Sequence, residues 1–395
     1  MIGSTTLLRV TYLSLDPLDS TVGASQVLAY VRRLAERGVQ VELHSFEHQL
    51  SGELAGDLAE RGVDWRPHPY GRGGVLGGFW RVARLARAIQ GAEIVHARSD
   101  MAAAAAMLAG ADRWLWDVRS LWAEQKVATG VLRPGSIQER VFQRIERAAA
   151  RRSGQVVTLT DGIVEVLDTR HGGVVGPKVT VVTTCVDRDR FVRVEPPPGR
   201  PLRLLLAGTL NRYYDVPAML DLVHELRRRR PTELVVAAPG RTDWDEELES
   251  AGAVRVRASP DEMPGLIGSC HVGLSVCRDD AGVSLLGAMP TKIGEFLAVG
   301  RPVVVNSGLA DAASMLVAAG AGAVHGSSEA DPGGAADRLL DLVDDSATVE
   351  RATDLAARHF DLDAGVDSLI GAYRRLQGKP DRAPELEGPS GTVIG

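Results

Sequence analysis

A lysine and a glutamate lie one turn apart near the start of a predicted helix in the segment 290–306, PTKIGEFLAVGRPVVVN. Pro290 and Thr291 favour a helix start here, because proline has no N–H group to leave unpaired. A helix N-terminus offers free N–H groups and a partial positive charge to an anion, and Lys292 would add a full charge. Glu295 would accept hydrogen bonds from hydroxyl groups. An anion site beside a hydroxyl acceptor is what a nucleoside diphosphate requires.

The same segment also fits an ordinary helix–strand unit of a parallel sheet. Gly300 suits the end of the helix, and the run Val303–Val305 is typical of a strand covered on both faces. In this alternative, Lys292 and Glu295 would be solvated at the edge of the unit.

A second polar group follows two predicted strands in the first half of the chain. His96 lies near the end of one strand, and Asp117 and Arg119 lie at the end of another. Ligands of open α/β sheets bind beyond the carboxyl ends of the strands, so these side chains could grip a sugar or an acceptor. A buried Asp117–Arg119 pair that fixes the loop, and a structural His96, are the alternatives.

Two strand-to-helix loops carry further candidates. The first is unusually long, and its Gly23 would permit close backbone approach while Gln26 lies at the following helix start. A flexible loop with a capping serine is the alternative. The second contains Gly208, Thr209 and Arg212, which could cradle a phosphate, although it matches neither the Walker motif nor G-x-G-x-x-G.

Strands and helices alternate along both halves, which predicts an α/β protein with two Rossmann-like domains. A chain of 395 residues is also too long for one ordinary core. The segment VEPPPGRP at 194–201 reads as a stiff linker. The predicted organisation is a first domain at 1–190, a linker at 191–201, a second domain at 202–360, a final helix at 361–377 and a disordered tail at 378–395.

Composition excludes several classes of protein. The net charge is −6, and neither half is basic enough to indicate nucleic-acid binding. No window approaches 18 uninterrupted apolar residues, and the first residues do not resemble a signal peptide. The three cysteines are scattered and none shares a zinc-site spacing with histidines. We therefore expect a reducing, cytoplasmic location and no metal site.

Several separated stretches carry a resemblance to one family. The sequence is similar to retaining glycosyltransferases of family 4, which have the GT-B fold, and the similar stretches are GASQVLAYVRRLAERG (23–38), SFE (45–47), WDVRSLWAE (116–124), VTTCVDRDRF (182–191), GTLNRYYD (208–215) and PTKIGEFLAVGRPVVVN (290–306). They cover most of the chain in the expected order. The resemblance implies two Rossmann-like domains that face each other across a cleft, with a final helix that crosses back to the first domain.

The resemblance also implies an activity. The chain would move a sugar from a nucleotide-diphosphate sugar to an acceptor hydroxyl with retention of anomeric configuration. The donor is a substrate, and no cofactor or metal is implied. The acceptor would be a small molecule or a glycan, and a membrane contact is possible because many family members act on lipid-linked glycans.

Roles follow from the resemblance residue by residue. Lys292 and Arg212 would neutralise the phosphates and stabilise the leaving diphosphate. Glu295 would bind the ribose. The remaining donor-side residues would be Pro290, Thr291, Gly208 and Thr209, and the residues on the sugar or acceptor side would be Gly23, Gln26, His96, Asp117 and Arg119.

One position departs from the family pattern. Many members carry a second glutamate eight positions before the one that matches Glu295, and here that position is Gly287. This departure keeps two alternatives open: a nucleotide-sugar 2-epimerase of the same fold, and a non-catalytic protein that binds sugar nucleotides.

Overall fold

The computed structural model of the chain describes residues 7–71, 73–199, 201–329 and 331–378. Of the tail predicted at 378–395, all but Gly378 lies outside the described residues. The described residues form two α/β domains, each on its own parallel sheet, so the prediction of two Rossmann-like domains is confirmed. Within these ranges, no helix is both long enough and apolar enough to cross a bilayer.

The described residues of the first domain form seven parallel strands and seven α-helices. The strands are β1 (Arg9–Leu13), β2 (Gln40–Glu47), β3 (Asp64–Pro69), β4 (Val95–Arg98), β5 (Trp114–Val118), β6 (Gln155–Thr158) and β7 (Val179–Val181). The helices are α1 (Ala29–Glu36), α2 (Gly52–Glu60), α3 (Gly74–Ala88), α4 (Asp100–Ala109), α5 (Trp122–Ala128), α6 (Ile137–Arg152) and α7 (Asp161–His171). The strand order is β3-β2-β1-β4-β5-β6-β7.

The second domain repeats this plan, and its described residues form six parallel strands. They are β8 (Leu202–Ala207), β9 (Thr232–Ala237), β10 (Val254–Val256), β11 (Val272–Leu274), β12 (Val303–Val305) and β13 (Gly322–Val324), in the order β10-β9-β8-β11-β12-β13. Its helices are α8 (Val216–Arg227), α9 (Asp245–Ser250), α10 (Met263–Gly268), α11 (Thr291–Ala298), α12 (Ala310–Ala319), α13 (Pro332–Asp344) and α14 (Ala347–His359), and α15 (Leu362–Leu376) comes after them.

Both strand orders reverse direction once, between β1 and β4 and between β8 and β11. Crevices at such reversals, beyond the carboxyl ends of the strands, are where open α/β sheets bind ligands. The central strands are apolar on both faces because helices cover both sides; for example, all three valines of β12 are fully buried. Each domain therefore presents one ligand-binding edge.

The last helix, α15, follows the second domain in sequence but packs on the first. Leu362, Val366 and Tyr373 are buried in the same core as Tyr12 of β1. Arg33 of α1 also forms two 3.0 Å hydrogen bonds with the Asp363 carboxylate. The helix thus fastens the last described part of the chain to the first domain.

Backbone and side-chain hydrogen bonds hold the domains in contact next to the cleft. The Thr160 hydroxyl donates to the carbonyl oxygen of Leu286 at 2.6 Å, and the Thr184 hydroxyl donates to that of Met289 at 3.0 Å. The fully buried guanidinium of Arg301 binds the carbonyl of Val194 at 2.7 Å, which ties the linker to the second domain.

Candidate functional site

A cleft of about 1460 Å³ lies between the two domains. Residues after β1, β4 and β5 line one wall, and residues after β8, β9 and β10 line the other, so both carboxyl edges face it. The sequence candidates that line it are Gln26, Arg119, Gly208, Thr209, Arg212, Pro290, Thr291, Lys292 and Glu295. Among the described residues that were singled out in the sequence, Gly23, His96 and Asp117 do not line it.

Lys292 lies in the first turn of α11 and is only 9% exposed. Its ammonium group donates to the carbonyl oxygen of Ala207 and lies 4.1 Å from the centroid of the Tyr214 ring. Burial lowers the pKa of Lys292 to about 8. One carbonyl and one aromatic face compensate a buried cation poorly, so an anion in the cleft would be stabilised at this point.

Glu295 lies one turn further along α11. Burial raises the pKa of its carboxyl to about 7, although the charges of Lys292 and Arg190 oppose this rise. Within the described part of the chain, the carboxylate accepts no hydrogen bond. A desolvated carboxylate with unused lone pairs gains most from a ligand that brings hydroxyl donors.

The loop after β8 lies opposite the start of α11. A Cβ atom at Gly208 would lie 3.4 Å from the Lys292 ammonium nitrogen, so a larger residue there would cover the ammonium. The side chain of Arg212 is 67% exposed, and its Nε lies 3.5 Å from the Asp243 carboxylate. Such an exposed pair is worth little, so Arg212 can reorient toward a ligand.

On the first-domain wall, two arginines converge on one amide. The Nη2 atoms of Arg98 and Arg119 donate to Oε1 of Gln26 at 3.1 and 3.0 Å. Guanidinium groups only donate, which fixes the orientation of the amide. Its Nε2 then donates across the cleft to the Thr291 hydroxyl at 2.6 Å. Gln26 therefore connects the first-domain wall to the start of α11.

Behind this wall, a buried chain of hydrogen bonds positions Arg119. The Asp117 carboxylate accepts from Arg119 Nη1 at 3.3 Å and from His96 Nε2 at 3.2 Å. Burial alone would raise its pKa, but Arg119 and His96 hold the pKa of Asp117 at about 2. His96 is fully buried, stacks on Tyr12 and accepts from the Tyr373 hydroxyl through Nδ1 at 2.6 Å. His96 and Asp117 thus act on the cleft through Arg119.

Gly23 begins a π-helical turn, Gly23–Leu28, that precedes α1. A Cβ atom at this position would lie 2.0 Å from the carbonyl oxygen of Pro17, so only glycine fits against the preceding loop. The turn carries Gln26 to the cleft. Gly23 thus shapes the backbone path, and its place on the sugar or acceptor side, which the resemblance implies, stays a prediction.

Arg98 and Arg190 are among the arginines at the cleft that the sequence reasoning did not single out. Arg98 ends β4 and also pairs with the Asp16 carboxylate. Arg98 stands two residues after His96 at the end of a strand, and this position could have marked it as a candidate site residue. Arg190 donates to the carbonyl of Pro260 and contributes positive charge near Glu295. Arg190 lies in the similar stretch 182–191, but no local pattern shows that it reaches Glu295, because its neighbours come from the other domain.

Gly287 lies where the domains meet. A Cβ atom there would lie 2.7 Å from Cδ1 of Ile163 and 3.5 Å from the backbone nitrogen of Leu121, both in the first domain. In this arrangement the position has no room for a glutamate.

The described residues also contain no group of three or more His, Cys, Asp or Glu side chains that could hold a metal ion.

Comparison with known proteins agrees with this geometry. Residues 23–190 match the model of Glycosyltransferase Family 4. No curated protein sequence matches the chain.

Solved structures of glycosyltransferases share the fold over almost the whole chain. Sucrose-phosphate synthase from Thermosynechococcus elongatus is 13% identical with a TM-score of 0.68, and the match covers 94% of this chain and 99% of that one. HepE from Anabaena, solved with UDP and glucose, is 14% identical with a TM-score of 0.65, covering 93% and 100%. WaaG, a glycosyltransferase involved in lipopolysaccharide biosynthesis, is 16% identical with a TM-score of 0.66, covering 93% and 100%. The chain therefore has the GT-B fold, and the predicted fold class is confirmed.

Proposed function

We propose that this chain, which has the GT-B fold and a first domain similar to Glycosyltransferase Family 4, moves a sugar from a nucleoside-diphosphate sugar to an acceptor hydroxyl with retention of anomeric configuration. The observation that carries the proposal is the pairing of Lys292 and Glu295 on α11. One is a poorly compensated cation, the other is a carboxylate that accepts no hydrogen bond from the described residues, and both line one wall of the cleft.

The pair suits the two halves of a nucleoside diphosphate. The free N–H groups at the start of α11 and the Lys292 ammonium would hold the phosphates, and Arg212 would reorient to join them. The Glu295 carboxylate would accept hydrogen bonds from the ribose hydroxyls. As the bond between the sugar and the diphosphate breaks, negative charge builds on the leaving phosphate, where Lys292 would stabilise it.

Retention would follow from attack on the face that the diphosphate leaves. The acceptor hydroxyl would form the new bond to the anomeric carbon and pass its proton to the departing phosphate oxygen. Asp117 makes a poor nucleophile, since Arg119 and His96 occupy its carboxylate and it does not line the cleft. The Arg98–Gln26–Arg119 group would face the sugar and the acceptor.

Nucleoside diphosphates test the donor site directly. Structures of HepE contain UDP or UDP-glucose, so UDP is the first ligand to measure, followed by GDP and dTDP. A ligand at 100 times its Kd should raise the free energy of unfolding by roughly 2.7 kcal/mol, measured by thermal unfolding. Glu295→Ala and Lys292→Ala should each lose most of this stabilisation, while Lys126→Ala should keep it, because Lys126 lines the first-domain wall.

If no nucleoside diphosphate stabilises the folded parent protein, the donor-site proposal fails. If one does, its sugar derivatives should be screened with small-molecule and glycan acceptors, and the anomeric configuration of the product read by NMR. An inverted product would disprove retention. Turnover that persists in EDTA would support the proposal that no metal or other cofactor takes part.

Gly287 favours a second candidate, a non-catalytic sugar-nucleotide-binding protein. The family's first glutamate is missing, and the site where it would stand is filled by Ile163 and Leu121. Donor binding without turnover on any acceptor would select this candidate, and a changed sugar without any acceptor would select the 2-epimerase.

The proposed partners are a nucleotide-sugar donor and a small-molecule or glycan acceptor, with no nucleic acid. A cytoplasmic location belongs to the same proposal. The three cysteines, Cys185, Cys270 and Cys277, are buried free thiols, which suits a reducing compartment.

A further inference from the structure

The sequence contains only four lysines, at positions 126, 178, 292 and 379, among 45 lysine and arginine residues. The first three lie in the described part of the chain, in different surroundings. Lys292 alone of these three is buried, lines the cleft and lies in the first turn of a helix. Lysine is the side chain that acyl groups modify, and this combination bears on how readily Lys292 reacts.

Burial supplies Lys292 with a free amine near neutral pH. It lowers the pKa of the side chain to about 8, although the charges of Cys277 and Glu295 oppose this fall. At pH 8 about half of the Lys292 side chains are therefore uncharged, against less than about 1% for a lysine with the ordinary pKa of about 10.4. Because the uncharged amine is the nucleophilic form, burial activates Lys292.

The backbone beside the amine leaves a path to it from the cleft. Lys292 Nζ donates to the carbonyl oxygen of Ala207 and lies 4.1 Å from the centroid of the Tyr214 ring. The next residue, Gly208, lines the cleft, and a Cβ atom there would lie 3.4 Å from Nζ. Since glycine has no side chain, a small reagent in the cleft can approach the amine over Gly208.

The start of α11 favours reagents that carry a phosphate. Within the described residues, no side chain caps this helix at Pro290. The N–H groups of its first turn therefore attract anions, and Lys292 belongs to that turn. A phosphate held there would bring a group bonded to it next to the amine. Acyl phosphates, the mixed anhydrides of a carboxylic acid and phosphoric acid, have this arrangement.

We propose that Lys292 is a site of acylation by acyl phosphates. The amine would attack the acyl carbon, so that the amide C–N bond forms as the C–O bond to the phosphate breaks. The phosphate leaves with the bonding electron pair and takes up the proton that the amine loses. Amine and acyl phosphate thus give amide and hydrogen phosphate without a further reactant, and the N–H groups of α11 would stabilise the leaving phosphate.

The acylation would also regulate the donor site. An amide carries no charge, so the modified side chain could no longer attract a diphosphate. This consequence rests on the proposed function, whereas the acylation itself does not. Complete acylation of Lys292 should weaken binding of a nucleoside diphosphate by about tenfold or more, the loss expected for one charged hydrogen bond.

Acetyl phosphate tests the proposal on the full chain. The protein is treated at pH 8, and mass spectrometry of its peptides gives the acetylation rate at each lysine. Lys292 should react about tenfold faster than Lys126 and Lys178, because its lower basicity offsets only part of the gain in free amine. Inorganic phosphate should slow the reaction at Lys292 and leave the other two rates unchanged.

The two comparison lysines separate the features that Lys292 combines. Lys126 lines the same cleft, but it lies in the last turn of α5, where the helix end disfavours anions. Burial also lowers the pKa of Lys178, but its ammonium donates to the carbonyl of Ser153 at 2.7 Å, and among the described residues it is outside the cleft. Equal rates at the three lysines would overturn the proposal, as would a Lys292 rate that inorganic phosphate leaves unchanged.

Binding of UDP, GDP and dTDP before and after treatment distinguishes this proposal from the donor site. If Lys292 is acetylated selectively but no nucleoside diphosphate binds the untreated protein, the donor site fails and the acylation site stands. If one binds but Lys292 reacts no faster than Lys126, the acylation site fails and the donor site stands. Undiminished binding after complete acetylation of Lys292 would overturn the regulation.

Discussion

Two side chains on α11 illustrate how burial creates a binding site from ordinary residues. Lys292 and Glu295 would be an unremarkable surface pair if both were solvated. Burial makes the charged form of each unfavourable, which lowers the pKa of Lys292 to about 8 and raises that of Glu295 to about 7. Both groups therefore gain from a ligand that is negative at one end and hydroxylated at the other.

The pH dependence of nucleoside diphosphate binding should reflect both groups. Affinity should rise with pH up to about 7, as Glu295 ionises, and fall above about 8, as Lys292 loses its proton. The stability of the protein alone should change in the opposite direction. Folded Glu295 binds its proton more tightly than the unfolded chain does, so the free energy of unfolding should fall as pH rises from 4.5 to about 7. Calorimetric titration across this range measures the affinity.

Two variants separate the limbs of this profile. Glu295→Gln should remove the rise in affinity below about pH 7 that comes from ionisation of Glu295, while the rise that comes from ionisation of the ligand's phosphate should remain. Lys292→Met should remove the fall in affinity above about pH 8 and should weaken binding at neutral pH. If both variants keep the parent profile, these side chains do not contact the ligand.

At the scale of elements, α15 supports the cleft wall from behind. Its Tyr373 hydroxyl bonds His96, which bonds Asp117, which bonds Arg119 in the cleft. Burial lowers the pKa of His96, so the ring stays neutral and its Nδ1 needs a donor. The C-terminal helix therefore helps to fix an arginine that comes from the end of β5.

Removing that donor should destabilise the first domain. Tyr373→Phe leaves the buried His96 Nδ1 without a partner, which should lower the free energy of unfolding by about 1–3 kcal/mol in urea titration. A double-mutant cycle with His96→Phe provides the control, because two residues that act through one bond give non-additive costs. Additive costs would contradict the connection.

At the scale of the whole molecule, the two domains touch beside the cleft. Gln26 and Thr291, 265 positions apart, share a hydrogen bond across the cleft, and Gly287 packs against Ile163. A diphosphate at the start of α11 would compete for the Thr291 hydroxyl. Donor binding and the distance between the domains should therefore be linked.

Placing a glutamate at position 287 should open the molecule. Gly287→Glu places a Cβ atom 2.7 Å from Cδ1 of Ile163, so the domains must separate or the free energy of unfolding must fall, by about 1–3 kcal/mol for overpacking. Small-angle scattering and urea unfolding measure the two responses. Gly265→Glu is the control, because no atom lies within 4 Å of a Cβ there. A Gly287 variant that matches this control in both measurements would contradict the close contact.

The sequence by itself determined the α/β class, the two Rossmann-like domains and the start of α11, because these depend on local patterns of apolar, glycine and proline residues. Local patterns do not predict every element. Strand β3 contains Pro67 and Pro69, which argue against a strand, yet its place at the sheet edge tolerates missing N–H groups.

Only the tertiary structure decided which candidates reach the cleft. It placed His96 inside the first domain, brought Arg98 and Arg119 onto one amide oxygen, and set Arg190 close enough to affect Glu295. These juxtapositions join residues far apart in the chain. They depend on strand order and on how the two domains face each other, and burial then decides which charges are left poorly compensated.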